Sequence, residues 1–237
     1  MTANSDKVIA FLLYPGLSLL DMIGPYSVLS NLGRGYRTVV VGEKVESMPD
    51  DFGLGITPHL SIDDVPKPYA LIVPGADLAT FTTMANDKLM AYIRSAGEKA
   101  EVVCSVCTGA CILAQAGFLK GRKATTHWAY APFLEKLGAT YIRQRWVEDG
   151  KFITAAGVSA GIDLALHLAA RFADEAASKA VQLYVEYEPQ PPFGGLDWSM
   201  ANEEAISKAS AVNLSERLAD MDKVLANKPE LLAQLKG

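Results

Sequence analysis

The chain has 237 residues, half of them apolar and 21% charged, with 19 Gly, 12 Pro, three Cys and a formal net charge of −5. That length and apolar content suffice for a large buried core without disulfides or structural metals, and they exclude disordered, collagenous and disulfide-stapled classes. The acidic balance argues against a nucleic-acid-binding surface, which needs clustered Lys and Arg to neutralise phosphates.

The polar start MTANSDK and the Pro15-Gly16 break soon after it predict neither a signal peptide nor a membrane span. All three cysteines lie within eight positions (Cys104, Cys107, Cys111), too close to staple a fold, so the expectation is a soluble, cytoplasmic protein in a reducing compartment. In chain order, short apolar runs at 7–13 (KVIAFLL), 36–41 (YRTVVV), 69–73 (YALIV) and 101–106 (EVVCSV) read as strands buried on both faces, the mark of a parallel sheet. Helices are predicted between them: 25–32, with Pro25 at the first helical position; 87–99; and 108–116, ended by Gly117. Residues 45–60 read as a polar hairpin excursion and 141–155 as another, turning at Asp149-Gly150. Two helices follow at 159–172 and 174–187. The stretch 188–199 (EPQPPFGGLDWS) then breaks regular structure, and a helical extension runs from 200 to the end. In that extension Leu214, Leu218, Met221 and Leu225 fall on one apolar stripe, which predicts packing against the same chain or a sister subunit. Alternating strands and helices give an α/β sandwich with a mostly parallel sheet, divided into a domain of residues 1–195 and an extension of 196–237.

The informative segment is VVCSVCTGACILAQAG at 102–117. An apolar strand runs into Thr-Gly-Ala and a helix, with Cys107 at the junction. A side chain at such an elbow stands over the carboxyl ends of the strands, where open α/β sheets place ligands. The helix start points N–H groups at the sulfur, so the expected Cys107 pKa is lowered. The plainer reading, one more small buried hydrophobe, fits Cys104 inside the strand and Cys111 one turn into the helix better. A thioredoxin-like pair would have both cysteines at the helix start, and a metal site would need more ligands than three histidines in the chain supply.

Asp21, in YPGLSLLDMIGPYSVL (14–29), sits in apolar company that raises a carboxyl pKa; it reads equally as an acid/base or, with Ser18, as a helix cap. Gly75 and Ala76 in VPGADLAT end another strand, and their N–H groups read either as oxyanion donors or as part of an ordinary turn. Of the histidines, His59 reads as surface, His167 as packed on a helix, and His127 in ATTHWAY as able to reach the crevice or as structural. Asp51-Phe52-Gly53 copies a kinase tripeptide, but no phosphate loop accompanies it.

Together these residues resemble the ThiJ/PfpI superfamily, and within it the isocyanide (isonitrile) hydratases. The resemblance rests on the Cys107 elbow, DMIGPYSVL at 21–29, VPG at 73–75, TTHWAY at 125–130, GVSAGIDLAL at 157–166 and VQLYVEYEPQPPF at 181–193, and spans about residues 7–195. It implies a flavodoxin-like fold, a homodimer, no cofactor or metal, and hydration of R–N≡C to an N-substituted formamide. Cys107 would be the nucleophile, Asp21 the acid/base and Thr108 the residue after the nucleophile, with Gly75, Ala76, His127 and Val158 around the substrate. Ala155-Ala156 stand where the family often carries glycines, and the extension after 196 lies outside the pattern. Relatives acting on reactive carbonyls tend to carry Glu in place of Asp21, or His after the cysteine. A redox sensor without turnover is a further alternative. A transcription regulator would need a longer, more basic tail.

Overall fold

The computed structural model describes residues 6–33, 35–209, 215–216 and 219–237. Along the chain run β1 (Lys7–Leu12), α1 (Leu19–Leu29), β2 (Tyr36–Gly42), the hairpin strands β3 (Met48–Pro49) and β4 (Gly55–Ile56), and β5 (Leu60–Ser61). Then come β6 (Ala70–Val73), α2 (Leu78–Ala85), α3 (Asp87–Lys99), β7 (Val102–Val106), α4 (Gly109–Gln115), β8 (Lys123–Ala124), α5 (Ala131–Lys136) and β9 (Thr140–Tyr141). The core closes with β10 (Trp146–Asp149), β11 (Phe152–Ala155), α6 (Ala160–Phe172) and α7 (Glu175–Tyr184).

Seven strands form the central sheet in the order β10-β11-β7-β6-β1-β2-β5. All neighbours are parallel except β10, which runs antiparallel to β11 at the edge. β6 and β7 are buried at every residue, which is why they read as uninterrupted apolar runs rather than alternating ones. This is the flavodoxin-like α/β fold. The chain leaves β1 toward β2 on one side and returns to β6 on the other, so the sheet has its switch point beside β1. A crevice opens there, at the carboxyl ends of the strands.

The first helix departs from expectation. It begins at Leu19, six residues earlier than predicted, and carries Pro25 in its interior. Pro25 can donate nothing to the Asp21 carbonyl one turn back. Burial of Asp21, Met22, Gly24 and Pro25, on a helix packed against α6, outweighs that loss. The helix thereby sets Asp21 beneath the crevice, against the Cys107 side chain, instead of leaving it in a loop.

In the C-terminal extension, helices span Glu203–Ala209, Met221–Val224 and Pro229–Lys236. Leu225, Leu231 and Leu235 are buried, each stabilising by about 1.5–3 kcal/mol. The last helix lies on α5, where the Lys136 ammonium donates to the Leu235 carbonyl at 2.8 Å, and the 221–224 helix lies on α2. Of the predicted apolar stripe, Leu214 and Leu218 lie outside the described residues. Its described half, Met221 and Leu225, packs against the core of the same chain as expected, and a turn from Leu225 ends that helix before Pro229 starts a new one. No helix among the described residues is long and apolar enough to cross a membrane.

Candidate active site

Cys107 follows β7 at the elbow. Its φ is +56°, a left-handed conformation unusual for a residue with a side chain, held by hydrogen bonds from its N–H to the carbonyls of Ala155 (3.1 Å) and Ala156 (3.0 Å). The Thr126 hydroxyl donates to its carbonyl at 2.9 Å, which accounts for part of the TTHWAY motif. The turn is tight enough that a Cβ at Gly109 would lie 2.1 Å from the Val73 carbonyl oxygen, so only glycine fits there. Cys107 is 6% exposed and opens onto a cavity of about 610 Å³ whose walls include Leu20, Ile23, Asp51, Phe52, His127 and Tyr130. It is thus buried against protein yet reachable from the cavity.

Asp21 is fully buried. Its Oδ2 accepts the Gly75 N–H at 3.0 Å across 54 residues, and its Oδ1 has no hydrogen-bond partner among the described residues. Ser18 caps nothing with its side chain and instead donates to Asp51 Oδ2 at 2.9 Å. The helix-cap reading of Asp21 is thereby removed. Burial raises the Asp21 pKa from 3.8 to about 7, although the Gly75 N–H and the adjoining Cys107 side chain both favour its ionised form.

The sulfur behaves opposite to expectation. Burial pushes the Cys107 thiol well above its ordinary value, and the neighbouring Asp21 charge pushes in the same direction. The N–H groups of Val158 and Thr108 favour the thiolate but do not outweigh these two effects. Val158 is held at φ +25°, a costly region for a β-branched residue, where its N–H serves the sulfur. A short helix start therefore does not ionise a thiol that shares its pocket with a carboxylate. The resting pair is a thiol beside a carboxyl group that titrates near neutrality.

Gly75 and Ala76 also need correcting as oxyanion donors. The Gly75 N–H is taken by Asp21, and the Ala76 N–H donates to Thr108 Oγ1 at 2.8 Å. The Thr108 hydroxyl in turn donates to the Ala76 carbonyl at 2.6 Å and lies 2.7 Å from Thr80 Oγ1. Its side chain is a clamp between the elbow and the β6–α2 turn, and only its N–H faces the sulfur. A Cβ at Gly75 would sit 2.5 Å from both Thr108 N and Thr108 Oγ1, and 2.9 Å from Asp21 Oδ2. Gly75→Ala is therefore expected to push the turn away from the elbow. The expected cost is about 1–3 kcal/mol of stability in urea denaturation and loss of the Asp21 hydrogen bond; unchanged stability and activity would contradict this packing.

His127 lines the cavity, but its Nδ1 accepts the Ala129 N–H at 3.3 Å and burial lowers its pKa, so it stands there as a neutral wall. His59 is exposed, with Nδ1 accepting the Val40 N–H at 3.0 Å, and His167 is half-buried against Glu148 at 2.9 Å. The sequence reading missed the cavity mouth. Asp50, Asp51 and Phe52 of the supposed surface hairpin fold over the crevice, and Asp77 accepts from the Tyr130 hydroxyl at 3.1 Å. A Phe directly after two acids, in an otherwise polar excursion, was the available signal. Among the described residues no group of three or more His, Cys, Asp or Glu is placed to hold a metal ion.

The model of the DJ-1/PfpI family matches residues 7–171. An isonitrile hydratase from Pseudomonas putida is 39% identical over 185 residues, covering 78% of this chain and 80% of that protein. The crystal structure of a ThiJ/PfpI family protein from Pseudomonas syringae superposes with a TM-score of 0.83 at 31% identity, covering 98% of this chain and 91% of that one. The likeness thus runs on through the C-terminal extension. Drosophila melanogaster DJ-1beta, at 21% identity and a TM-score of 0.71 over 78% of this chain and 100% of its own, shares the fold.

Proposed function

The chain belongs to the DJ-1/PfpI family, and from that membership and the geometry of the crevice we propose that it hydrates isocyanides to N-substituted formamides. The observation that carries the reading is the Asp21 carboxyl, wholly buried beside the Cys107 side chain with one oxygen that accepts no hydrogen bond from the described residues. The 39% identical isonitrile hydratase supports the same chemistry.

The mechanism begins with the shared proton. Ionised Asp21 takes it from the Cys107 thiol as substrate enters, giving a thiolate beside a carboxylic acid. The sulfur adds to the terminal isocyanide carbon, and Asp21 delivers the same proton to that carbon. The product is a thioimidate, R–N=CH–S–Cys107, with Asp21 ionised again. Asp21 next draws a proton from a water molecule as the water oxygen bonds to the thioimidate carbon, and passes that proton to the nitrogen, which takes the C=N electron pair. The tetrahedral R–NH–CH(OH)–S adduct collapses as Asp21 accepts the hydroxyl proton, the C–S bond breaks and the formamide leaves. The thiolate and acid that remain exchange a proton to restore the resting pair. The Thr108 and Val158 N–H groups stabilise charge on sulfur through both additions. With this reading go the cytoplasmic homodimer and the absence of a cofactor expected above.

Incubation with phenyl isocyanide in ¹⁸O-labelled water tests it. N-phenylformamide carrying one heavy oxygen, formed at a rate proportional to protein, is the expected product by mass spectrometry. No formamide above the protein-free rate overturns the reading.

A further inference from the structure

The cavity that holds Cys107 has a neighbour of about 580 Å³, walled by Trp128, Tyr141, Arg143, Arg145, Leu196 and Trp198. The two cavities share Leu20, His127 and Val158. Thr126 and Ala156 also line the second one, and each is a single hydrogen bond from the Cys107 backbone. The second chamber therefore begins beside the nucleophile.

The chambers are opposite in charge. Among the described residues, Asp50, Asp51 and Asp77 line the Cys107 cavity and no Lys or Arg does, whereas two arginines and no carboxylate line the second. Arg145 is committed: it donates to Asp163 at 2.5 Å and to Ser159 at 3.1 Å. Arg143 pairs with no carboxylate among the described residues. Its guanidinium carbon lies 3.8 Å from the centre of the Trp198 ring, so one face is covered, and among the described residues no hydrogen bond occupies its N–H edges, which suit a planar acceptor. Trp198 comes from the C-terminal extension, which thus supplies part of the wall.

We propose that the substrate is an isocyanide whose R group ends in a carboxylate, held by Arg143 while the isocyano carbon lies over Cys107; this rests on the hydration reading above. A carboxylate would be repelled by the acids around Cys107, whereas the uncharged isocyano end is not, so the two chambers fix the direction of entry. Trp128, Tyr141 and Trp198 offer flat apolar walls to the connecting hydrocarbon.

The test compares 4-isocyanobenzoate with its methyl ester. The protein is expected to favour the carboxylate in kcat/KM. Arg143→Gln should lower the carboxylate-to-ester ratio about 10- to 100-fold, mainly through KM because the contact is remote from the reacting carbon, and Arg143→Lys should restore part of it. Equal values for acid and ester, or a ratio unmoved by Arg143→Gln, overturn the assignment and leave hydration standing. If neither isocyanide is consumed, hydration falls and calorimetry with 4-formamidobenzoate decides the anion site alone. Binding that Arg143→Gln abolishes sustains the site; no binding, or binding indifferent to the substitution, overturns it.

Discussion

Cys107→Ala is expected to reduce formamide production by about 10⁴-fold or more, to the protein-free rate, because the covalent route is lost with the sulfur. The same experiment separates the three thiols. Burial holds Cys104 far above the ordinary thiol range and raises Cys111 to about 12; both lie at 0% exposure, and neither lines the cavity. Cys104→Ala should therefore keep turnover within a few-fold of the unaltered protein while costing about 1 kcal/mol of stability. Acid quench during turnover should trap an adduct heavier by one isocyanide, and fragmentation of the single peptide that carries all three thiols should place it on Cys107. An active Cys107→Ala protein, or an adduct on Cys104 or Cys111, would remove the elbow cysteine from the chemistry.

The sheet and the elbow were legible because their signals are local. A strand buried on both faces lacks polar alternation, as in Val102–Val106, and Asp87–Lys99 shows its amphipathic period in its own letters. The charge state of the sulfur was not legible. It depends on how completely Asp21, the β6–α2 turn and the 50–52 loop enclose Cys107, and these come from three separated segments. Counting N–H groups at a helix start favoured a thiolate; burial beside a carboxylate reversed the sign. The Gly75 and Ala76 donors failed for a related reason. Sequence names the turn but not the acceptors, and here Asp21 and Thr108 had already taken both N–H groups. Likewise, nothing near Arg143 in the sequence announces Trp198, which arrives from 55 positions later and turns a surface arginine into part of a chamber.

Asp21→Asn should lower kcat/KM for isocyanide hydration by about 10²–10⁴-fold. An asparagine keeps an oxygen for the Gly75 N–H but cannot take the thiol proton or hand it to carbon, so geometry survives and proton transfer does not. The pH dependence distinguishes this from mere disruption. The active form is the pair with one proton, so activity in the unaltered protein should rise with pH through about 7 as the second proton leaves, and hold until the high-lying thiol ionises. In Asp21→Asn that rise should vanish and residual activity should climb only as Cys107 itself ionises. Stability moves the other way. The folded Asp21 pKa of about 7 exceeds the ordinary 3.8, so its contribution is fully present below pH 3.8 and is lost as pH climbs through 7, about 4 kcal/mol in all. Asparagine has no proton to lose, and the variant should therefore gain on the unaltered protein between pH 4 and 7 and be the more stable of the two at pH 8, measured by urea midpoints at each pH. A variant that is slower but shows the original rise near pH 7, or that loses stability at pH 8, would mean that the buried carboxyl group beside the sulfur is not the proton carrier.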